Sequence, residues 1–148
     1  MNTLIMDFPI RPFSVNKEKK VAVVHGKMRL VKNTSGKQGA ARKELEMLAL
    51  RYNRQLKDLG AMFDPKLHFW RMKYFWIYHE DEFWTKAGTM SQGLVDDDNP
   101  VKPFRDIIFG VVGMPDAYVA NSEQTKMPGK ETKCVIHISF HPWQELIP

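Results

Sequence analysis

Twelve consecutive residues, Leu67–Tyr78, constrain the fold most strongly, because six of them are aromatic. Their apolar side chains occupy both alternating sets of positions, whereas a half-buried strand alternates apolar with polar residues. Such a composition is typical of a strand in a sheet that is covered on both faces. We therefore predict that Leu67–Tyr78 is a central β-strand with both faces buried. The alternative is a surface platform on which nucleic-acid bases stack, but the run has few polar residues for a solvated surface.

Weaker patterns before and after this strand complete the prediction of the fold. Strand patterns occur at Leu4–Ile10, at Val21–Val24 and Met28–Val31 as a hairpin, at Ala117–Val119 and at Cys134–Phe140, with a turn at Met127–Lys130. Apolar residues at three- and four-residue spacing predict a long helix at Ala40–Leu59, which Gly60 ends. A shorter helix is predicted between Asn99 and Val111. Together these elements predict an α+β fold, a single domain over residues 1–148, in which one long and one short helix pack on a mixed sheet.

Composition excludes several other classes of protein. An apolar content of 43% and a charged content of 26% are those of a globular chain. The one cysteine, Cys134, excludes an internal disulfide framework and a multi-cysteine zinc site, and its apolar neighbours favour a buried role. The segment Met1–Ile10 has neither a basic start nor a long apolar core. We therefore expect no signal peptide, no membrane span and a reducing, cytoplasmic location.

Charge is divided unevenly along the chain. Residues 1–75 contain 16 Lys and Arg against 6 Asp and Glu, whereas residues 76–148 contain 6 against 11. A basic half that faces a polyanion, next to an acidic half that can hold metal, is typical of an enzyme that acts on nucleic acid. The alternative is a mildly basic protein whose charge has no functional role.

The acidic run Asp96-Asp97-Asp98 is the strongest candidate for a site. Alternate residues of an extended strand point the same way, so Asp96 and Asp98 can converge while Asp97 faces elsewhere. Two adjacent carboxylates repel each other unless a cation lies between them, and Mg2+ is held by a few such oxygens. The alternative is a solvated acidic loop in which Asn99 caps a helix.

Two residues further along the chain complete this candidate site. The predicted helix carries the chain away from Asp98, and we expect the turn after it to return Asp116 to the same end. Asp96, Asp98 and Asp116 would then hold one or two Mg2+ ions that promote an in-line displacement at phosphorus. Lys102, at the start of the helix, would place a positive charge near the scissile phosphate.

The wider pattern resembles the RusA family of phage-type Holliday junction resolvases. The resemblance is carried by Asp96-x-Asp98-Asn99-x-x-Lys102-x-x-x-Asp106, by Asp116-x-x-Val119 and by the opening segment Phe8–Asn16. The family pattern implies that Asp96, Asp98 and Asp116 bind metal and that Lys102 is catalytic. It further implies Mg2+ as the cofactor, with Mn2+ able to substitute, a homodimer, and a cytoplasmic location in a bacterial host cell, in a phage or prophage context.

The resemblance implies a Mg2+-dependent endodeoxyribonuclease that resolves four-way DNA junctions by symmetric hydrolysis, in recombination and repair. The basic N-terminal half would contact phosphates. The candidate DNA-binding residues are Arg11, Lys17, Lys19, Lys20, Lys27, Arg29, Lys32 and Lys37. Two alternatives stay open: a nuclease for other branched DNA such as flaps or Y-forks, and a DNA-binding protein whose degenerate acidic site no longer cuts.

Other residues near these motifs are expected to be structural. Asp106 matches a recurring helix acid of the family, and we expect it to support the helix rather than take part in the reaction. Phe13 is predicted to pack in the core, the alternative being a wedge in the open centre of a junction. None of the five histidines has helical metal-ligand spacing, so we assign none to catalysis. A second metal site at His79 and Glu80 is the remaining alternative.

Overall fold

The main sheet has four strands, which lie in the order Thr3–Phe8, Lys133–Pro142, His68–His79 and Val119–Gly129. The structure is a computed structural model of the chain, and it describes residues 2–13, 19–32, 37–94 and 100–148. The strands are β1 (Thr3–Phe8), β4 (His68–His79), β5 (Val119–Gly129) and β6 (Lys133–Pro142). β4 pairs antiparallel with β6 and parallel with β5, and β1 pairs antiparallel with β6. The chain therefore forms a single α+β domain with a mixed sheet, which confirms the predicted fold class.

A separate hairpin follows β1 in the chain. Its strands are β2 (Lys19–Val24) and β3 (Lys27–Lys32), which pair antiparallel. Both turn residues have positive φ, 53° at His25 and 74° at Gly26. Positive φ at both central residues is typical of the two-residue turn that matches the twist of paired strands. The predicted hairpin is confirmed.

The long predicted helix is divided in the structure. α1 (Lys37–Ala49) leads through a 3-10 turn at Leu50–Tyr52 into α2 (Asn53–Met62). The prediction that Gly60 ends this helix was wrong, because Gly60 lies inside α2 and is buried. A Cβ atom at Gly60 would lie 2.9 Å from Cγ1 of Val112. The glycine therefore permits close helix packing instead of ending the helix.

The remaining helices connect β4 to β5. α3 (Glu80–Phe83) directly follows β4, and α4 (Val101–Val112) precedes β5. Pro100 occupies the N-cap position of α4, and Gly113, with φ 82°, ends it. Proline before the first turn and a left-handed glycine after the last are the usual boundaries of a helix. The predicted short helix is confirmed, with its start at Val101.

The two faces of β4 differ in burial. Trp70, Met72, Tyr74, Trp76 and Tyr78 are fully buried on one face. On the opposite face only Phe69 is fully buried, and the later apolar residues, Phe75 and Ile77, are partly buried. β4 is an inner strand, as predicted, since it has a neighbour on each edge. The prediction that both faces are buried is therefore confirmed for one face, and the second face is only partly buried.

Strand β5 is the element that the sequence predicts least well. It extends over eleven residues, Val119–Gly129, whereas the apolar pattern predicted only Ala117–Val119. Most of its side chains are exposed because it lies at the edge of the sheet. The pairing with β4 therefore defines this strand, and its own sequence shows little apolar periodicity.

The last residues of the chain turn back against the sheet. A 3-10 turn at Trp143–Leu146 follows β6. The indole of Trp143 lies 5.2 Å, centroid to centroid, from the ring of Phe69. In the part of the chain that the structure describes, no helix is long and apolar enough to cross a membrane.

Candidate functional site

The acidic run lies outside the described residues. Asp96, Asp97, Asp98 and Asn99 fall in the gap between residues 94 and 100. Leu94 and Pro100, which flank this gap, are both buried. The chain is therefore anchored in the core on each side of the run.

Lys102 lies in the first turn of α4, as predicted. Its side chain is 65% exposed, and its Nζ donates to Oδ2 of Asp106 at 3.2 Å. This pair has i,i+4 spacing, which brings side chains together on one side of a helix. Asp106 therefore supports the position of Lys102, in agreement with the structural role that was expected for it.

Asp116 lies beyond the other end of α4. After Gly113 the side chain of Met114 packs against the sheet, where its Sδ accepts a hydrogen bond from Nε1 of Trp70 at 3.2 Å. A 3-10 turn, Asp116–Tyr118, then leads into β5, and Asp116 is exposed there. Within the described ranges no basic side chain forms an ion pair with Asp116. An exposed carboxylate of this kind fits a hard cation such as Mg2+.

The structure places Lys102 and Asp116 at opposite ends of α4. Ring contacts fix the direction of the helix on the sheet: Phe104 lies 5.4 Å from Trp76, whereas Phe109 lies 5.9 Å from Trp70. The helix rises about 15 Å between Lys102 and its last residue. The expected return of Asp116 to the start of the helix is therefore not seen for Lys102. Whether Asp116 lies near Asp96 and Asp98 stays a prediction, since both of these residues lie outside the described ranges.

A buried phenol, Tyr74 of β4, meets a half-buried guanidinium, Arg105 of α4. Burial raises the pKa of Tyr74, the positive charge and hydrogen bonding of Arg105 oppose the rise, and the negative charge of Asp116 adds to it. Tyr74 is therefore hydrogen-bonded to Arg105 and lies within range of the charge of Asp116. The buried Nε of Arg105 finds no hydrogen-bond partner among the described residues. A guanidinium has further N–H groups, and these suit an anionic ligand.

Sequence reasoning did not single out Tyr74 or Arg105. Tyr74 belongs to the aromatic strand and was predicted only as core. Arg105 directly follows the core residue Phe104 in α4, and that position beside the apolar stripe was the one signal in the sequence. The pairing of the two residues depends on how α4 packs on β4, which the sequence does not show.

The structure gives Arg11 a partner within the protein. Its Nη1 donates to Oε2 of Glu82 at 2.7 Å, and its Nη2 pairs with Oε1 of the same carboxylate. The hydrogen bond from Arg11 holds the pKa of Glu82 below its usual range. The guanidinium also lies 5.7 Å from the centroid of the Tyr78 ring. Arg11 therefore ties the segment after β1 to α3, and its side chain is already engaged.

The other predicted DNA-binding residues belong to the hairpin or lie near it. Lys27 is exposed at the start of β3. Lys17 lies outside the described residues, and for the rest only the backbone is described, in β2, β3 and the start of α1. These residues are Lys19, Lys20, Arg29, Lys32 and Lys37.

Three of the expected structural roles can be compared with the structure. Phe13 is buried and contacts the ring of Phe104, as the core prediction required. Cys134 is fully buried, and burial raises the pKa of its thiol well above the usual range. His79 uses Nδ1 to accept a hydrogen bond from the backbone N–H of Asp81 at 3.1 Å, which caps α3. The ranges that the structure describes, which leave out residues 95–99, contain no group of three or more potential metal ligands.

Comparison of the chain with models of known protein families finds no match, and no curated protein is similar to it. Its function is therefore inferred from its residues and its geometry.

Proposed function

We propose that the protein is a RusA-like, Mg2+-dependent endodeoxyribonuclease that cuts branched DNA, with four-way junctions as the preferred substrate. The observation that carries the proposal is the start of α4 at Val101, three residues after the last acid of the run. This start gives Lys102 an exposed position in the first turn, only four residues after Asp98. A lysine that close to a pair of metal-binding carboxylates suits the charge of a scissile phosphate.

Asp96 and Asp98, with Asp116 as a further acid, are the proposed metal ligands. Bound Mg2+ would polarise the phosphoryl group and offset the charge that develops during displacement. The carboxylate of Asp116 fits this role because it is exposed, because its oxygens are hard ligands, and because no basic side chain of the described residues pairs with it. The separation of Asp116 from Lys102 favours Asp116 as an acid on the rim of the site, with Asp96 and Asp98 as the principal ligands.

Arg105 is proposed as a second contact to the DNA backbone. Its side chain is half-buried beside Tyr74, and a guanidinium has several N–H groups that can donate to a phosphate oxygen. Lys102 and Arg105 lie three residues apart, so they occupy neighbouring positions on α4. The two cations would hold successive phosphates along one strand, whereas Asp106 holds the Lys102 ammonium in place.

A homodimer is part of the proposal because a four-way junction has approximate twofold symmetry. Two identical sites related by a twofold axis would nick the junction at two equivalent positions. The basic residues of the N-terminal half would bind the arms through phosphates, with strong salt dependence and little sequence preference. Lys27, exposed at the hairpin turn, is the described candidate with the clearest access to such an arm.

The proposal is tested by cleavage of a labelled four-way junction in Mg2+, resolved on a denaturing gel beside a fork, a flap and a linear duplex. We expect paired nicks at symmetry-related positions in the junction and little cutting of the duplex. Lys102→Ala should reduce cleavage by about 10²-fold or more. Lys66→Ala, which changes an exposed lysine in the turn before β4, is the matched control and should leave cleavage unchanged.

Three results separate the alternatives. Preferential cutting of forks or flaps would favour a nuclease for other branched DNA. Junction binding without any nick, in Mg2+ or in Mn2+, would leave a DNA-binding protein with a degenerate site. Equal loss of cleavage in the Lys66 and Lys102 variants would contradict the catalytic role of Lys102.

A further inference from the structure

Residues 84–93, the Trp84 loop, form a braced surface projection between α3 and the acidic run. Its two sides are joined by an isolated bridge between Trp84 and Met90. Inside this bridge the backbone N–H of Thr85 donates to the carbonyl of Thr89 at 2.7 Å, and their hydroxyls lie 2.8 Å apart. Gly88 has φ 82° at the tip. The loop is therefore a closed turn with its own hydrogen bonds.

Buried side chains anchor the Trp84 loop at both ends. Phe83, directly before it, is buried, and its carbonyl accepts a hydrogen bond from the N–H of Ser91 at 2.7 Å. Leu94, directly after it, is also buried. The backbone of the loop is therefore fixed at its base, and only the side chains between these anchors face solvent.

The loop exposes two large apolar side chains at paired positions. Trp84 is 47% exposed and Met90 is 49% exposed. Residues directly opposite each other across an antiparallel bridge have their side chains on the same side. The ring of Phe83 meets the Trp84 indole edge-on, at 4.8 Å between centroids, and supports it from the core side. The indole of Trp84 and the thioether of Met90 are therefore exposed side by side on a loop whose backbone is held by hydrogen bonds.

The size of this patch decides what kind of partner it suits. A fully buried aromatic side chain accounts for about 150–250 Å2, so two half-exposed side chains offer on the order of 200 Å2. A stable protein interface needs about 800 Å2 from each partner. The patch formed by Trp84 and Met90 is too small for a stable protein interface. It is large enough for a single unpaired base, which covers one indole ring.

Charge favours a polyanion as the partner. No acidic residue occurs from Phe83 to Val95, and Lys86 lies exposed near the tip of the loop. This interval separates Glu80-Asp81-Glu82 from Asp96-Asp97-Asp98, so the loop is a break in the acidic part of the chain.

We infer that Trp84 and Met90 bind unpaired bases at the branch point of DNA, with Trp84 stacking on a base and Lys86 contacting a phosphate. The inference rests on the proposed function, because it assigns the loop to the same substrate. It adds the feature by which a branched substrate differs from plain duplex: bases that are free to leave the stack. Aromatic and thioether side chains are the ones that proteins insert between bases or stack against them.

The test measures binding by tryptophan fluorescence, without divalent metal so that no cleavage occurs. Trp70 and Trp76 are fully buried, so a Trp143→Phe background leaves Trp84 as the one exposed indole among the described residues. We expect an open junction or a fork to quench this fluorescence, and a linear duplex of equal length to quench it much less. Saturating binding to the open junction or fork without quenching would overturn the inference, as would equal quenching by the duplex.

Substitutions give a second, independent measurement. Trp84→Ala should weaken binding to branched DNA by about 5- to 150-fold, which is the usual effect of removing one stacked base. Duplex binding should change less than about 2-fold, and Trp84→Phe should retain most of the affinity. Trp143→Ala, which removes the exposed indole of the C-terminal turn, is the control and should have no effect on branch binding. Equal effects of the two alanine variants, or a Trp84 effect on self-association alone, would contradict the assignment.

The experiments can refute base binding by the Trp84 loop and nuclease activity of the protein independently of each other. Quenching by branched DNA without cleavage in Mg2+ would refute the proposed nuclease and retain the loop as a base-binding site. Junction cleavage by the wild type together with unchanged branch binding by the Trp84→Ala variant would retain the nuclease and refute the loop.

Discussion

The two ends of helix α4 differ in how their chemistry is assembled. At the start, the acidic run, Pro100 and Lys102 are consecutive or nearly so in the chain, and the one described side-chain partner is Asp106 in the next turn. At the far end, Asp116 comes from a 3-10 turn, and Trp70, in strand β4, donates to Met114. The functional residues at the start of α4 are therefore neighbours in the sequence. Those at its end come from different elements, and packing brings them together. A motif that is continuous in sequence thus extends over both ends of a helix about 18 Å long.

The largest expected effect compares the acids at the two ends. Asp98→Asn should reduce junction cleavage by more than about 100-fold, since loss of even an outer-shell partner of a metal costs about 10- to 100-fold. Asp116→Asn should have the smaller effect, about 10- to 100-fold, because Asp116 lies at the far end from Lys102. Single-turnover cleavage rates at saturating enzyme measure both. Equal losses would show that the two ends act on one metal site.

Binding provides the control for these two variants. Asp98→Asn removes a negative charge near the proposed phosphate, so junction affinity without metal should persist or increase. A variant that loses both junction binding and cleavage has lost its fold or its DNA-binding surface. Such a result would not test the role of the residue in metal binding.

The next effect concerns stability at the packed end of the helix. Gly60→Ala places a Cβ atom 2.9 Å from Cγ1 of Val112 and 3.0 Å from its carbonyl oxygen. Overpacking of this kind lowers the free energy of unfolding by about 1–3 kcal/mol. Gly110→Ala is the matched control, because nothing lies within 4 Å of its added Cβ. It should stabilise the protein by about 0.5–1 kcal/mol through helix propensity. Urea unfolding measures both, and a loss in both variants would contradict the packing account.

A smaller effect is expected at Arg105. Arg105→Gln should weaken junction binding by about 10-fold, the lower range for a hydrogen bond to a charged group. Arg54→Gln changes an exposed arginine of α2 and should leave affinity unchanged. Affinity measured at several salt concentrations should also show a smaller salt dependence for Arg105→Gln, because one phosphate contact is lost. An unchanged salt dependence would place Arg105 outside the DNA surface.

The smallest effect is a pH dependence at Tyr74. Burial raises the pKa of Tyr74 in the folded protein above its ordinary value of about 10. Above that pH the unfolded chain loses the phenolic proton first, so stability decreases as pH rises toward the folded pKa. Tyr74→Phe should make this decrease shallower in urea unfolding at about pH 10 and above. Arg105→Gln should make it steeper, because Arg105 opposes the rise in the pKa. Identical slopes in all three proteins would contradict the contact between α4 and β4.

Local patterns of sequence were sufficient for much of the fold. The hairpin follows from the turn at His25-Gly26, and the bounds of α4 follow from Pro100 and Gly113, because proline and glycine restrict the backbone wherever they stand. The same patterns failed at Gly60, where a residue typical of a helix end permits a close contact instead. They failed also for β5, whose long pairing with β4 depends on the neighbouring strand.

The sequence by itself determined that an inner aromatic strand exists, that α4 begins three residues after an acidic run, and that Lys102 lies in its first turn. These features need only neighbouring residues, whose spacing and backbone preferences are local. Only the tertiary structure decided that Arg11 is bound to Glu82, that Tyr74 meets Arg105, and that the two ends of α4 lie against different residues of β4. These features join residues that are distant in the chain, and the packing of α4 on the sheet fixes their distances.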